Sequence, residues 1–225
     1  LQFVDSPNNE LYDVMFDSPT QNYATLNPLN TTAGDNGIAA ANLQNQDTNS
    51  GVASTWTGTT SMTGGLYYFE ITRFEANNGF THGILPDNFL ITGGNAGLNE
   101  SVRISQSGDL DVLSVNTNSY LPDINEGDTL CVAFNADNGR IWFGRNGTFV
   151  GDPAAGTNQA ATVDMETGWV TYNRVIGAAG LERSANNWGQ QPFLFDPPDG
   201  FNRLQTQNLP EAPIANGRDH FRAIT

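Results

Sequence analysis

Short apolar stretches separated by turn residues constrain the fold of this chain more than any other sequence feature. In residues 129–150, apolar side chains alternate with others on both sides of Asp137-Asn138-Gly139, and a second turn sequence, Asn146-Gly147, follows. Asn and Gly tolerate positive φ, so these sequences suit tight hairpin turns. The stretch predicts three consecutive antiparallel strands.

The same alternation recurs elsewhere. Residues 65–73 form one such run, and Val102 with Ile104 precedes a break at Gly108-Asp109 that predicts a hairpin. No stretch has the spacing of an amphipathic helix, so we expect an all-β antiparallel sandwich with under about 15% helix. The alternation predicts these core residues: Tyr67, Phe69, Ile71, Leu130, Val132, Phe134, Ile141 and Phe143.

Charge composition excludes several classes of function. The 225 residues carry a formal net charge of −15 and contain no Lys, so all nine cations are scattered Arg. Without a basic stripe, nucleic-acid binding is disfavoured. No apolar run approaches the ~18 residues of a spanning helix, so we expect no membrane insertion. The single Cys131 cannot form an intrachain disulfide and is expected to be a buried, inert thiol.

Both ends of the chain contain Pro and polar turn sequences with only scattered apolar residues. We expect an extended lead-in over residues 1–30, a sandwich over 31–200 and an irregular tail over 201–225. The chain begins with Leu rather than Met, as a processed or trimmed product would. Scattered apolar anchors in the two ends predict assembly contacts with other copies or proteins: Phe3, Tyr12, Phe16, Phe201, Leu204 and Phe221.

Catalytic residues are sparse. His82 and His220 are the two histidines, and neither lies in a nucleophile motif, so a surface or structural role is expected for both. Glu70 and Glu75 are close in sequence, but residues five apart on one strand face opposite sides and lie ~17 Å apart, too far for glycoside hydrolysis. We expect no enzyme activity and no cofactor; a glycan hydrolase or lyase is the less favoured alternative.

Metal binding is not predicted either. Asp123, Glu126 and Asp128 offer oxygen ligands before a strand, but the Asp-x-Asp-x-Asp-Gly pattern of a calcium loop is absent. We therefore expect a solvated turn. The Gly-rich residues 93–97 lack the Lys of a phosphate loop and predict a flexible turn.

Recognition is the remaining class of function, and aromatic and amide residues in predicted loops are its candidates. Such groups suit sugar rings, but they also close the end of a sandwich. Trp142 points away from Ile141 and Phe143, so core packing or an interface is expected on its side of the strand. The candidate binding residues are Asn78, Phe80, Asn88, Phe89, Trp169, Tyr172, Asn173 and Arg174.

Two separated segments resemble the SPRY family. Gly65 to Ile71 is similar to its first signature strand, and residues 127–148 resemble its second signature. Further segments resemble SPRY-containing proteins of tailed phages: residues 17–29, 151–158, 189–193 and 197–201. The likeness covers about Asp17 to Asn216.

This resemblance implies a sandwich of the SPRY or concanavalin-like jelly-roll type that binds partners without catalysis. It also implies location in a phage virion, as a tail, fibre or capsid-surface component used for host attachment or surface decoration. The implied partners are copies of the chain and other virion proteins, with a host-surface glycan or protein receptor as a further candidate. A free carbohydrate-binding module is the alternative function.

Overall fold

A computed structural model describes residues 22–32, 37–48, 52–77, 79–93, 95–177 and 180–210. Within these ranges the regular secondary structure is nearly all β-strand, and the one helical element is a 3₁₀ turn at Thr206–Asn208. The predicted all-β class is therefore confirmed. No helix in the described part of the chain is long and apolar enough to cross a membrane.

One of the two sheets has seven strands, all paired antiparallel. Their spatial order is β1 (Leu26–Thr32), β4 (Ser54–Gly58), β14 (Trp169–Ile176), β6 (Gly79–Pro86), β7 (Val102–Ser105), β8 (Leu110–Val112) and β9 (Val115–Thr117). The strands β7 and β8 form the hairpin predicted around Gly108-Asp109.

The other sheet has nine strands. Its main path is β12 (Thr148–Phe149), β11 (Arg140–Arg145), β10 (Thr129–Asn135), β5 (Leu66–Glu75), β15 (Leu181–Asn187), β3 (Gln44–Thr48) and β2 (Ile38–Ala39). The short strand β13 (Ala161–Thr162) pairs with β11, and β16 (Asn202–Arg203) pairs with β5. The last pairing is parallel, an exception to the antiparallel pattern.

The predicted three-stranded meander is β10, β11 and β12. Val132 lies opposite Phe143, and Phe134 lies opposite Ile141. Both turns use positive φ, with Gly139 at 74° and Asn146 and Gly147 at 50° and 79°. The Asn-Gly signal therefore predicted the second turn for the right physical reason, since this backbone conformation costs Gly and Asn least.

The main core lies between the two sheets. All eight residues predicted for it belong to one buried cluster, joined by large side chains from the seven-stranded sheet such as Trp56, Phe80 and Ile104. Cys131 is buried as expected, on the opposite face of β10, and burial raises the pKa of its thiol to about 11. A thiol with that pKa stays protonated and unreactive at neutral pH.

A second apolar layer covers the outer face of the nine-stranded sheet. Trp142 and Tyr68 lie there, beneath a segment of chain that we call the strap, residues 191–209. Phe193 of the strap meets Tyr68 edge-on at a centroid distance of 4.8 Å, and Phe201 meets Trp142 at 6.2 Å. Core packing, one of the two roles expected for Trp142, is thus supplied by the chain's own C-terminal segment.

The sandwich extends past both boundaries drawn from composition. Strand β1 already begins at Leu26, which is fully buried, and Phe201 and Leu204 pack against the rest of the fold. Phe201 and Leu204 are therefore not free for contacts with neighbours, because they complete the sandwich from which they come. The anchors Phe3, Tyr12, Phe16 and Phe221 lie outside the described residues.

Candidate interaction surface

A hydrogen-bonded group of polar side chains lies between the sheets and includes His82. The Nδ1 atom of His82 is 2.9 Å from Oδ1 of Asn173, and its Nε2 atom is 3.3 Å from Oγ of Ser184. That Oγ is also 2.8 Å from Oδ1 of Asn45. Since Oδ1 of Asn173 only accepts, the neutral ring carries its proton on Nδ1.

Ser184, His82 and Asn173 are thus arranged in the order of a nucleophile, a base and an orienting group. All three side chains are buried, however, and burial lowers the pKa of His82 to about 3. A nucleophile must be reachable by its substrate, and a base must titrate near the working pH. The group therefore acts as a structural network, which is one of the two roles expected for His82.

Glu70 and Glu75, the carboxylates considered for hydrolysis, each bind partners of their own. Glu70 accepts hydrogen bonds from the hydroxyl of Tyr68 and the backbone N–H groups of Leu194 and Phe195, so it anchors the strap. Burial raises the pKa of Glu70 in spite of these bonds. Glu75 instead forms a salt bridge of 2.9 Å with Arg183.

The acidic turn is not solvated throughout, contrary to expectation. Asp123 and Glu126 are exposed, but Asp128 is only 8% exposed and accepts hydrogen bonds from Arg145, Asn146 and the backbone of Asn125. These bonds hold the pKa of Asp128 below its ordinary value although burial opposes them. No group of three or more His, Cys, Asp or Glu side chains suited to a metal occurs among the described residues.

Strand β14 divides the predicted binding residues between its two faces. The structure places Trp169, Tyr172, Asn173 and Arg174 on this strand rather than in a loop, because residues 169–176 pair with β4 and β6 across the middle of the sheet. Trp169 and Asn173 face the space between the sheets. Tyr172 and Arg174 face outward.

Phe80 also lies on a strand, β6, and its side chain belongs to the core between the sheets. Its ring lies 5.7 Å from the guanidinium of Arg73 and 4.2 Å from the ring of His82. Asn78 lies outside the described residues. Phe80, Trp169 and Asn173 are thus structural in position, since none of them presents a side chain to solvent.

The remaining four candidates come together on the outer face of the seven-stranded sheet. The chain following β6, residues 87–93 and 95–100, folds back over this face, and Phe89 packs with Tyr172 in a third apolar cluster. The Tyr172 hydroxyl donates to the carbonyl of Ala96, and Arg174 donates to Oδ1 of Asn95. Asn88 precedes Phe89 and is exposed.

An irregularity in strand β1 lies beside this segment. Leu26 pairs with Gly58 and Thr31 with Trp56, so four residues of β1 stand against one of β4. These four residues, 27–30, bulge from the edge of the sheet, and the carbonyl Oδ1 of Asn27 accepts the N–H of Leu29 at 2.9 Å. Bulges at sheet edges redirect side chains. Here the bulge leaves the Leu29 side chain 91% exposed.

Asn30 joins this bulge to the segment after β6. Its side-chain amide donates to the carbonyl of Phe89 at 3.0 Å, and its Oδ1 accepts the N–H of Ile91 at 2.8 Å. Leu90 lies between those two residues and is 67% exposed. We call residues 27–30 and 87–91 together the Leu29–Leu90 surface.

Sequence reasoning found part of this surface, namely Asn88 and Phe89, but missed Leu29 and Leu90. Leu29 lies in the Asn27-Pro28-Leu29 stretch that resembles phage proteins, and Pro28 was a signal of irregular backbone. Nothing in the sequence, however, indicates that a leucine in this stretch points into solvent. That exposure follows from the pairing of β1 with β4 and from the bonds of Asn30.

Comparisons with known proteins support the fold. No family model matches the chain, and no curated protein matches it. Among solved structures, the SPRY domain of human HERC1 superposes with a TM-score of 0.55 and 13% identity, over 72% of this chain and 96% of that one. The chain has the fold of a SPRY domain. At 13% identity the likeness shows the fold alone, and it confirms the sandwich predicted from the two signature segments.

Proposed function

We propose that this SPRY-like protein is a non-catalytic interaction module that binds another protein through the Leu29–Leu90 surface. The observation that carries the proposal is the pair of exposed leucines. Leu29 lies in the bulge, and Leu90 lies in the segment that Asn30 joins to it by hydrogen bonds. A leucine that becomes fully buried contributes about 1.5–3 kcal/mol, so two rigidly presented leucines form an effective anchor for a partner.

The rigidity of this surface favours recognition. Asn27 and Asn30 fix the bulge, and the third apolar cluster supports Phe89 and Ile91 from below. Groups that are already ordered lose little conformational entropy on binding, so more of the contact energy remains as affinity. Asn88 and Phe89, which were predicted from the sequence as binding residues, lie within the same surface.

The absence of catalysis is part of the proposal. It is supported by the burial of His82 and Ser184, and by the hydrogen bonds and salt bridge that engage Glu70 and Glu75. A buried serine and histidine lack the access to substrate that nucleophilic catalysis requires, and carboxylates held by other partners are not placed to transfer a proton.

We further propose that the module works on a phage virion, attached to copies of itself or to other virion proteins and displayed for attachment or surface decoration. The support is the resemblance of residues 17–29, 151–158, 189–193 and 197–201 to SPRY-containing phage proteins. Residues 27–29 of the Leu29–Leu90 surface fall within the first of these segments.

Replacement of both leucines tests the proposal. The tagged full chain and its Leu29→Asn/Leu90→Asn variant are supplied during phage growth, and their amounts in gradient-purified particles are measured. We expect the variant to enter particles at least about tenfold less, since it loses two apolar contacts. Its melting temperature should stay within about 2 °C of the parent, because both side chains are exposed.

Leu194→Asn is the matched control, because Leu194 is 61% exposed but lies on the strap over the other sheet. It should enter particles as the parent does. Equal incorporation of the double variant would disprove the role of the Leu29–Leu90 surface. A parent chain recovered only outside particles would disprove the virion role.

A further inference from the structure

A pocket of ≈ 470 Å³ opens on the strap, on the outer side of the nine-stranded sheet. Its volume falls in the ordinary range for sites that bind small ligands. Its lining combines aromatic rings and amides with one arginine and one aspartate, among them Phe193, Phe195, Phe201, Asn208, Arg203 and Asp196. The pocket is remote from the Leu29–Leu90 surface, which lies on the other sheet.

Arg203 differs from every other arginine that the structure describes. Its guanidinium makes no hydrogen bond or salt bridge with a described residue, although the protein carries a net charge of −15. The others are all engaged, with these partners: Arg73 with Glu182, Arg103 with Asp111, Arg145 with Asp128, Arg183 with Glu75, Arg140 with the Gly156 carbonyl and Arg174 with Asn95.

The position of Arg203 is nevertheless fixed. Its backbone pairs with Tyr68 in β5, and its carbonyl accepts the side-chain amide of Asn208 at 2.9 Å. Its aliphatic stem lies against Gly189, where a Cβ would collide with it. The residue is exposed, so its guanidinium is open to a ligand, and an arginine without an anion is suited to bind a carboxylate through two parallel hydrogen bonds.

Gln205 lines the same pocket as a buried amide. The residue is 7% exposed, and its side-chain oxygen lies out of solvent contact, without a hydrogen-bond partner among the described residues. A ligand in the pocket therefore packs against Gln205 rather than bonding to its oxygen.

The aromatic wall is ordered as well. Phe193 is held edge-on against Tyr68, Phe201 against Trp142, and the backbone of Phe195 donates to Glu70. Aromatic faces pack well against the apolar face of a sugar ring, while hydroxyls on the ring edge reach amides and carboxylates. Asp196, exposed and also lining the pocket, adds an acceptor for hydroxyls.

We propose that this pocket binds an acidic sugar, a pyranose bearing a carboxylate. The carboxylate pairs with the guanidinium of Arg203, a ring hydroxyl donates to the carboxylate of Asp196, and the ring packs against phenylalanine. A neutral sugar would leave Arg203 without its anion, and a simple carboxylate would gain nothing from the aromatic wall or from Asp196. The pocket thus selects for both groups on one molecule, and this inference does not rest on the proposed assembly role.

The test is binding of glucuronic acid and N-acetylneuraminic acid to the full chain, measured by ligand-observed NMR, with glucose and acetate as controls. We expect at least one of the two acids to bind about tenfold more tightly than either control. In Arg203→Gln its affinity should fall about tenfold, to the level of glucose. In Arg140→Gln, which changes an arginine outside the pocket, it should be unchanged.

Two further outcomes would overturn the inference. The first is no binding of either acid at millimolar concentration, or equal binding by Arg203→Gln and the parent. The second is acetate binding as tightly as the sugars, since Arg203 would then recognise charge alone. Circular dichroism of each variant confirms that the fold is kept, so a loss of binding reports on the pocket.

Discussion

The layer between the sheets has an apolar half and a polar half, and the two are built differently. Near β10 and β11 it consists of Leu130, Val132, Phe134 and their neighbours, which belong to the main apolar cluster. Near β15 and β3 it contains the His82 network and the ion pair of Arg73 with Glu182, also buried. The first half gains stability from burial, and the second depends on each polar group finding its partner.

Because of this difference, the two halves should tolerate substitutions to different degrees. In the polar half, Nε and Nη2 of Arg73 donate to the two carboxylate oxygens of Glu182 at 2.7 and 2.8 Å, and Nη1 donates to the carbonyl of Ile124. Such a pair recovers the cost of burying two charges only while it stays complete. Nδ2 of Asn45 and Oδ1 of Asn186 are buried without a hydrogen-bond partner among the described residues, which adds a cost to the polar half.

Breaking the ion pair should have one of the two largest effects. We expect Arg73→Met to lower the free energy of unfolding by about 3–5 kcal/mol, because Glu182 is left as a buried charge. Chemical denaturation measures the change. The double variant Arg73→Met/Glu182→Leu should recover most of the loss, since it removes both charges. A double variant as unstable as the single one would contradict the view that the unpaired charge causes the loss.

A substitution in the apolar half should destabilise the fold through lost packing rather than through an unpaired charge. Phe134→Ala removes a fully buried ring and should also cost about 3–5 kcal/mol. No charge is exposed by this change, so the loss should be the same at pH 5 and pH 8. An unchanged denaturation midpoint would show that Phe134 is not in the core.

The smallest effect is a dependence of stability on pH, which arises from His82 in the polar half. Since the pKa of His82 is about 3 in the fold, against an ordinary 6.5, the unfolded chain binds an extra proton between these values. His82 therefore does not destabilise the fold above about pH 6.5, and the free energy of unfolding decreases as pH falls below that value. We expect a slope of up to about 1.4 kcal/mol per pH unit from this group between pH 6 and pH 4.

The variant His82→Gln should flatten that slope, measured as the free energy of unfolding at several pH values. His220→Gln, which changes the other histidine, is the matched control. Other groups, such as Asp128, titrate in both parent and variant, so the difference between the two curves isolates His82. Identical curves for the parent and His82→Gln would disprove its buried, neutral state.

The two halves also differ in how well the sequence predicted them. Alternation located the strands β5, β10 and β11 and assigned all eight core residues to the right face. The polar half was not predicted, because Ser184, Asn45 and Glu182 have no apolar periodicity, and their partners are distant in sequence. The same limitation placed Phe80 and Asn173 in recognition loops, although they are buried on strands.

The two functional surfaces were only partly predictable from the sequence. By itself the sequence determined the all-β class, the meander with its turns and the inert Cys131, since local backbone preference and alternation decide these. Only the tertiary structure decided that Leu29 and Leu90 share one exposed surface, and that Arg203, which has no anionic partner among the described residues, lines a pocket with several phenylalanines. Exposure and hydrogen bonding depend on which distant segments pack together, and no local pattern records that.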